Sequence, residues 1–298
     1  MTTSTDDPLP ELIRALKHRS AFERVQAAKA LGRLGWLARE AMPVLMMSLG
    51  DEDSKVREAA AQAVGQMGPE ALAALCAMLT HSDKYVRRQS VWAMGKLGPL
   101  AKSALSHLIA ALRDPDPRTA TGAAQAIGCM GVEGADGVPA LAEAMRGTNI
   151  VLCRLAAKAL SQVGPPALAT LIAHLQHADP FVRGESALAL GWMGAQARSA
   201  VPFLAAALRG PRPSISTTTP LPASIKASYQ TPTTPPLITP PPEGQTPDDN
   251  SRVYAAQALG RIGSAAAPAL SDLKDAAQNG PDALRQAART AIRLIEGQ

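Results

Sequence analysis

The stretch Asp179-Pro-Phe-Val-Arg-Gly-Glu-Ser-Ala-Leu-Ala-Leu-Gly-Trp-Met-Gly194 decides the fold, because the chain repeats it. Aligned on the closing glycine, seven copies fall into register, ending at Gly35, Gly68, Gly98, Gly131, Gly164, Gly194 and Gly263. Successive spacings are 33, 30, 33, 33, 30 and 69 residues. A fixed period of this size identifies an array in which each unit buries its apolar face against its neighbours.

Taking the place of Arg183 as column zero, arginine recurs at Arg24, Arg57, Arg87, Arg183 and Arg252, with Ala120 and Cys153 in the other two copies. Four residues earlier stand Ser20, Asp53, Asp83, Asp116, Asn149, Asp179 and Asp248. A short side-chain acceptor in that place satisfies the free N–H groups of a first helical turn, so each predicts a helix start. The closing glycine suits a left-handed C-terminal cap. At 100° per residue, columns +3, +4, +7 and +10 share an apolar arc. Column +6 is alanine in every copy, from Ala30 to Ala258, and column +8 is glycine except for Ser161. Glycine inside a helix costs about 1 kcal/mol against alanine, so its recurrence predicts close approach of the next repeat's helix. The arginines are expected to pair with the Asp caps of their own or neighbouring repeats, as a structural ladder.

Upstream of each capped helix lies a second amphipathic segment, such as Leu72 to Leu79 or Leu105 to Leu112, several opening near a proline (Pro43, Pro139, Pro202, Pro268). Proline is tolerated in a first helical turn. Each repeat is therefore a helical pair. Aromatic residues make up only 3% of the 298 residues, against 46% hydrophobic. Such a composition builds thin layers of Ala, Leu, Val and Met.

The motifs Ala200-Val201-Pro202-x-Leu204, Asp179-x-x-Val182-Arg183 and Leu190-Gly191-x-Met193-Gly194 resemble the HEAT-repeat family, in particular the short HEAT-like repeats of phycobilisome-lyase-type proteins. The resemblance implies an all-α, right-handed α-α superhelix of about eight helical hairpins. Residues 1–10 are expected to form a disordered tail and residues 11–298 a single array. That array is interrupted within repeat seven at 211–247, where eleven prolines and eight threonines leave no helical period. The last repeat departs from the pattern, and its Arg285, Arg289 and Arg293 are read as the polar face of a C-terminal cap.

No apolar run approaches membrane-spanning length, and the polar N-terminus has no signal-peptide character. Cys76, Cys129 and Cys153 make neither a CxxC nor an even framework. The expected location is therefore the reducing cytoplasm, and the expected state a monomer.

Columns −2, +2, +5 and +9 lie opposite the apolar arc, on what the resemblance implies is a concave surface. They hold six of the nine aromatic residues (Phe22, Tyr85, Trp92, Phe181, Trp192 and Tyr254), and Gln89 among the polar ones. They also carry Lys29, Arg33, Lys55, Lys96, Arg118, Lys158 and Arg261 against the single acid Glu185, a balance of seven minus one, or +6. Aromatic anchors with cations are the usual make-up of interface hot spots. The leading expectation is a non-enzymatic scaffold for an acidic protein segment, with no catalytic residue, metal or cofactor. The candidate contacts are Trp92, Trp192, Tyr85, Phe181, Tyr254, Lys96, Lys158, Gln89, Arg118, Lys55 and Arg261. Column −2 also admits a packing role for its aromatics.

Two other readings stay open. The resemblance to phycobilin lyases implies chromophore handling, and a basic face fits a nucleic-acid backbone, although +6 over seven repeats is thin for that. The resemblance also raises deoxyhypusine hydroxylases, which bind iron through His-Glu dipeptides. None of His18, His81, His107, His174 and His177 is followed by Glu, and the five are read as scattered among columns.

Overall fold

Capped helices and their upstream partners alternate through the whole of what the computed structural model describes, residues 8–209 and 247–297, and no β-strand occurs among these residues. All but the last residue of the expected insert, and residues 1–7 of the expected tail, lie outside that range. The first helix begins at Leu9, so Leu9 and Pro10 belong to the array rather than to the tail.

The residues group into two compact units, one ending at Leu141 and the other beginning at Ala142. The first contains α1 (Leu9–Ala15), α2 (Ala21–Leu34), α3 (Met42–Ser48), α4 (Ser54–Gln66), α5 (Leu72–Met78), α6 (Lys84–Leu97), α7 (Leu105–Ala111) and α8 (Pro117–Cys129). The division falls within α9 (Val138–Met145). The second contains α10 (Ile150–Val163), α11 (Leu168–His174), α12 (Pro180–Met193), α13 (Val201–Leu208), α14 (Pro247–Ile262), α15 (Leu270–Asn279) and α16 (Asp282–Glu296). In the first unit α2 packs on α4, α4 on α6 and α6 on α8; in the second α10 packs on α12, α12 on α14 and α14 on α16. Within each unit upstream helices pack on their capped partners, as α3 does on α4 and α11 on α12.

The caps form as the sequence predicts in five repeats. Asp53, Asp83, Asp116, Asn149 and Asp179 each accept a backbone N–H of the first turn. Ser20 makes no such bond. Asp248 is not a cap, because α14 already begins at Pro247 and places Asp248 in its first turn. The closing glycines all have positive φ, between 54° and 90°. The expected left-handed cap is corrected, however. At Gly35, Gly98 and Gly194 ψ lies between −126° and −133°, a region open essentially to glycine alone. That turn leads into a 3-10 segment such as Gly98–Ala104 or Gly194–Ala200, which delivers the chain to the next upstream helix.

The small columns interlock between repeats. A Cβ on Gly191 would stand 2.9 Å from the Cα of Ala258, and one on Gly32 would stand 3.0 Å from the Cα of Ala63. Column +8 of one capped helix thus seats the column +6 alanine of the next. The same contact continues from Gly260 to Ala291, at 2.9 Å. That places Ala291 in column +6 of an eighth repeat and Arg285 in its column zero. The last repeat therefore keeps the pattern, and Arg285 does not belong to a polar face: it donates to the Gly280 carbonyl and pairs with Asp282. Arg289 and Arg293 remain exposed on α16.

The arginine ladder exists: Arg183 pairs with Asp248, which stands in the expected column, whereas Arg24 and Arg87 use a different aspartate from the one expected. Nη1 of Arg24, Arg57, Arg87 and Arg183 donates to the two carbonyls five and six residues upstream, closing its own inter-helix loop. In three of the four the rest of the guanidinium reaches into the following repeat: Arg24 to Asp51 at 2.8 Å, Arg87 to Asp114 at 2.7 Å, and Arg183 to Asp248. Asp51 and Asp114 are not caps but stand two residues before them, and each also accepts the cap's own N–H.

Column −6 explains three of the histidines. His18, His81 and His177 occupy the place of Asp51 and Asp114, and Nδ1 of each accepts the N–H two residues on. The reading of the histidines as scattered is corrected accordingly. Three of them are repeat residues that hold the loop open for its cap.

Candidate interaction face

Columns −2, +2, +5 and +9 of the capped helices form the candidate face, taken unit by unit. In the first unit Lys29, Arg33, Lys55, Lys96 and Arg118 are all exposed, and in the second so are Lys158 and Arg261. Among the described residues none of these seven is in an ion pair with an acid. This contrasts with the column-zero arginines, whose charge is spent on structure. The single acid of the four columns, Glu185, is 2% exposed. It contributes nothing to the surface, so what the face presents is purely cationic.

Tyr85 is 39% exposed at the start of α6. The guanidinium of Arg57 lies over its ring at 4.4 Å from the centroid and that of Arg88 at 5.2 Å. Arg88 is itself fixed by Asp116, whose Oδ2 accepts its Nε at 2.6 Å. That guanidinium and the N–H of Thr119 hold the Asp116 carboxyl well below the usual carboxylate range. Trp92, about two turns further along α6 than Tyr85, is half-buried, with the Lys96 ammonium 4.8 Å from its ring centroid. Gln89 is half-buried between them. Lys55 and Arg118 stand in the first turns of α4 and α8, in the same column as Tyr85. The first unit thus brings Tyr85, Gln89, Trp92 and Lys96 together on one helix and flanks them with cations from its neighbours.

The second unit is built differently. Phe181 and Trp192 are half-buried at the two ends of α12, and the Arg154 guanidinium lies 5.9 Å from the Phe181 ring. Between them the expected exposed ridge is closed: Glu185 and Leu188, columns +2 and +5, are 2% and 4% exposed. Tyr254 is half-buried, and its ring lies where a Cβ on Gly184 would be, 2.9 Å away. Tyr254 therefore packs on the backbone of the preceding repeat. Glu185 accepts from Nε of Arg154 at 3.3 Å, while its Oε2 has no hydrogen-bond partner. Burial pushes its carboxyl up to about 7, against the opposing pull of Arg154.

Sequence reasoning missed a second feature of the first unit. Lys29 and Arg33 on α2 and Gln62 and Gln66 on α4 surround a pocket of about 150 Å³ floored by Ala59 and Ala63. The signal was present, since the four polar residues occupy columns +5 and +9 of successive repeats. It was overlooked because amides add nothing to a count of charge. Among the described residues no group of three or more His, Cys, Asp or Glu is placed to hold a metal ion, and no helix is long and apolar enough to cross a membrane.

The family model for HEAT repeats matches residues 9–94, 42–128, 72–150 and 138–217, and that for the PBS lyase HEAT-like repeat matches 251–279. The chain belongs to the HEAT-repeat family. No curated protein matches its sequence. Among solved structures, this HEAT-repeat chain is similar to the Escherichia coli protein YibA, at 15% identity over 97% of this chain and 92% of that one, with a TM-score of 0.48. It is also similar to the CpcE–CpcF complex of phycocyanin lyase from Nostoc sp. PCC7120, at 19% identity over 89% and 94%, with a TM-score of 0.40. Human deoxyhypusine hydroxylase in complex with glycerol aligns at 20% identity over 97% and 96%, with a TM-score of 0.38. None of these likenesses bears on activity.

Proposed function

We propose that this HEAT-repeat chain is a non-enzymatic interaction scaffold that binds an acidic protein segment on the exposed face of its capped helices. One observation carries the reading: the seven cations of that face are exposed and, among the described residues, without acidic partners, while its one acid is buried. Repeat arrays present extended surfaces of this kind, and unscreened cations there steer an anionic partner and fix its register.

In the first unit the anchors are Tyr85, Gln89, Trp92 and Lys96, with Lys55 and Arg118 beside them. In the second they are Phe181, Trp192 and Tyr254, with Lys158 and Arg261. Half-buried aromatic residues are preorganised anchors, because their rotamers are fixed before the partner arrives. The test is to pan a random peptide display library on the full chain. Enriched sequences should be dominated by Asp and Glu, with apolar residues between them. Enrichment of uncharged or basic sequences would contradict the proposal.

A further inference from the structure

The pocket between α2 and α4 is chemically distinct from the aromatic part of the face. Lys29 and Arg33 form its α2 wall, Gln62 and Gln66 its α4 wall, and no acid lines it. All four polar side chains are exposed, and the alanine floor is buried. Gly32 makes room for one of them: the Gln66 Oε1 lies 2.3 Å from the place a Cβ on Gly32 would take, so the amide lies over the glycine. Neither Lys29 nor Arg33 has an acidic partner among the described residues. Arg24, one turn before this pair on the same helix, is committed to Asp51.

We propose that this pocket seats one glutamate side chain of the acidic segment, with Gln62 and Gln66 pairing to the main chain beside it. The inference rests on the reading above and names a subsite within it. The Arg33 guanidinium is a planar fork that matches a carboxylate with two parallel N–H···O bonds, and the Lys29 ammonium adds a second charge from one helical turn away. A glutamate brings methylenes to lie on Ala59 and Ala63. Each glutamine offers both a donor and an acceptor, which is what a peptide bond requires. Neighbouring helices stand about 8–10 Å apart and an extended chain advances about 3.3 Å per residue. A peptide crossing from the pocket toward α6 therefore presents roughly every third side chain to successive repeats.

The experiment uses the full chain and a fluorescein-labelled nonapeptide with Glu at every third position and Leu between, read by fluorescence anisotropy. Lys29→Gln with Arg33→Gln should weaken binding about tenfold or more, equivalent to at least about 1.4 kcal/mol. The same peptide with Gln in place of Glu should bind weakly and be indifferent to that variant. Gln62→Ala with Gln66→Ala should weaken both peptides alike. If the wild-type chain binds the Glu peptide and the Lys29/Arg33 variant binds it equally well, the pocket assignment is wrong while the scaffold reading stands. If no Glu peptide binds at all, both fall. A phosphoserine peptide that binds tenfold tighter than its glutamate counterpart would overturn the carboxylate assignment.

Discussion

Arg87 holds Asp114 with two nitrogens, Nε to Oδ2 at 2.7 Å and Nη2 to Oδ1 at 3.0 Å, while its remaining nitrogen closes the loop of its own repeat. One side chain therefore ties a loop to itself and a repeat to the next. Both partners are largely buried, at 12% and 8% exposure. Removing one leaves the other's charge unmatched. Arg87→Ala should destabilise the chain by about 3–5 kcal/mol. Arg87→Lys should recover little of that, because an ammonium cannot span both tasks. Chemical denaturation of the two variants checks the order.

The glycines of column +8 separate two effects. Gly191 has no room for a Cβ, which would meet the Ala258 backbone at 2.9 Å, whereas a Cβ on Gly95 would meet Ala126 at 3.6 Å, an ordinary contact. Gly95→Ala should therefore stabilise by up to about 1 kcal/mol through helix propensity. Gly191→Ala should destabilise by about 1–3 kcal/mol through overpacking. Equal shifts of Tm in the same direction would show that the repeats do not interlock here.

His81 serves as an acceptor in a place where other repeats use aspartate. His81→Asp should keep the bond to the cap, as Asp51 and Asp114 do, and should raise stability slightly by offering Arg57 the carboxylate that Arg24 and Arg87 find in that column. His81→Ala should cost about 1 kcal/mol, the worth of one such hydrogen bond. The measurement is the Tm of both variants at neutral pH.

Glu185 gives a pH signature. Its carboxyl is raised from 4.5 to about 7 in the fold by burial, so between these values the unfolded chain releases a proton that the folded chain keeps. Stability falls as pH rises through this window, by on the order of 3 kcal/mol at about 1.4 kcal/mol per pKa unit. Burial lowers the pKa of His174 and so acts in the opposite sense, removing stability as pH falls through the ordinary histidine range. The difference between wild type and Glu185→Gln isolates the carboxyl. The variant should be the more stable at pH 8, and the two should converge near pH 4.5.

The repeat period, the caps, the closing glycines and the glycine–alanine interlock were legible because each is a column, and a column averages over seven copies. What escaped were pairings whose partner changes from copy to copy. Arg24 and Arg87 reach an aspartate two residues before a cap, while Arg183 reaches Asp248. Histidine and aspartate share column −6, because both offer an acceptor at that reach although they differ in every compositional index. Burial of Glu185 and Leu188 was hidden for another reason. A helix wheel knows only its own helix, and α12 is covered by neighbours on more than its apolar arc. The candidate face was legible as charge and aromaticity, and its amide pocket was not, because a pocket is made by two helices at once.

The central claim is that the face of the capped helices binds an acidic segment through side chains the fold does not need. Binding of the Glu-containing nonapeptide should therefore be measured across a salt titration, for wild type, Trp92→Ala and Lys96→Glu, with the Tm of each. The expected result is a loss of about 2 kcal/mol in affinity for Trp92→Ala. Its Tm should fall by only a few degrees, as a half-buried side chain contributes part of a full burial term. Lys96→Glu should slow association and flatten the salt dependence. If Trp92→Ala instead lowers stability by several kcal/mol and leaves affinity intact, or if single-stranded DNA binds more tightly than the acidic peptide at every salt concentration, the account is contradicted.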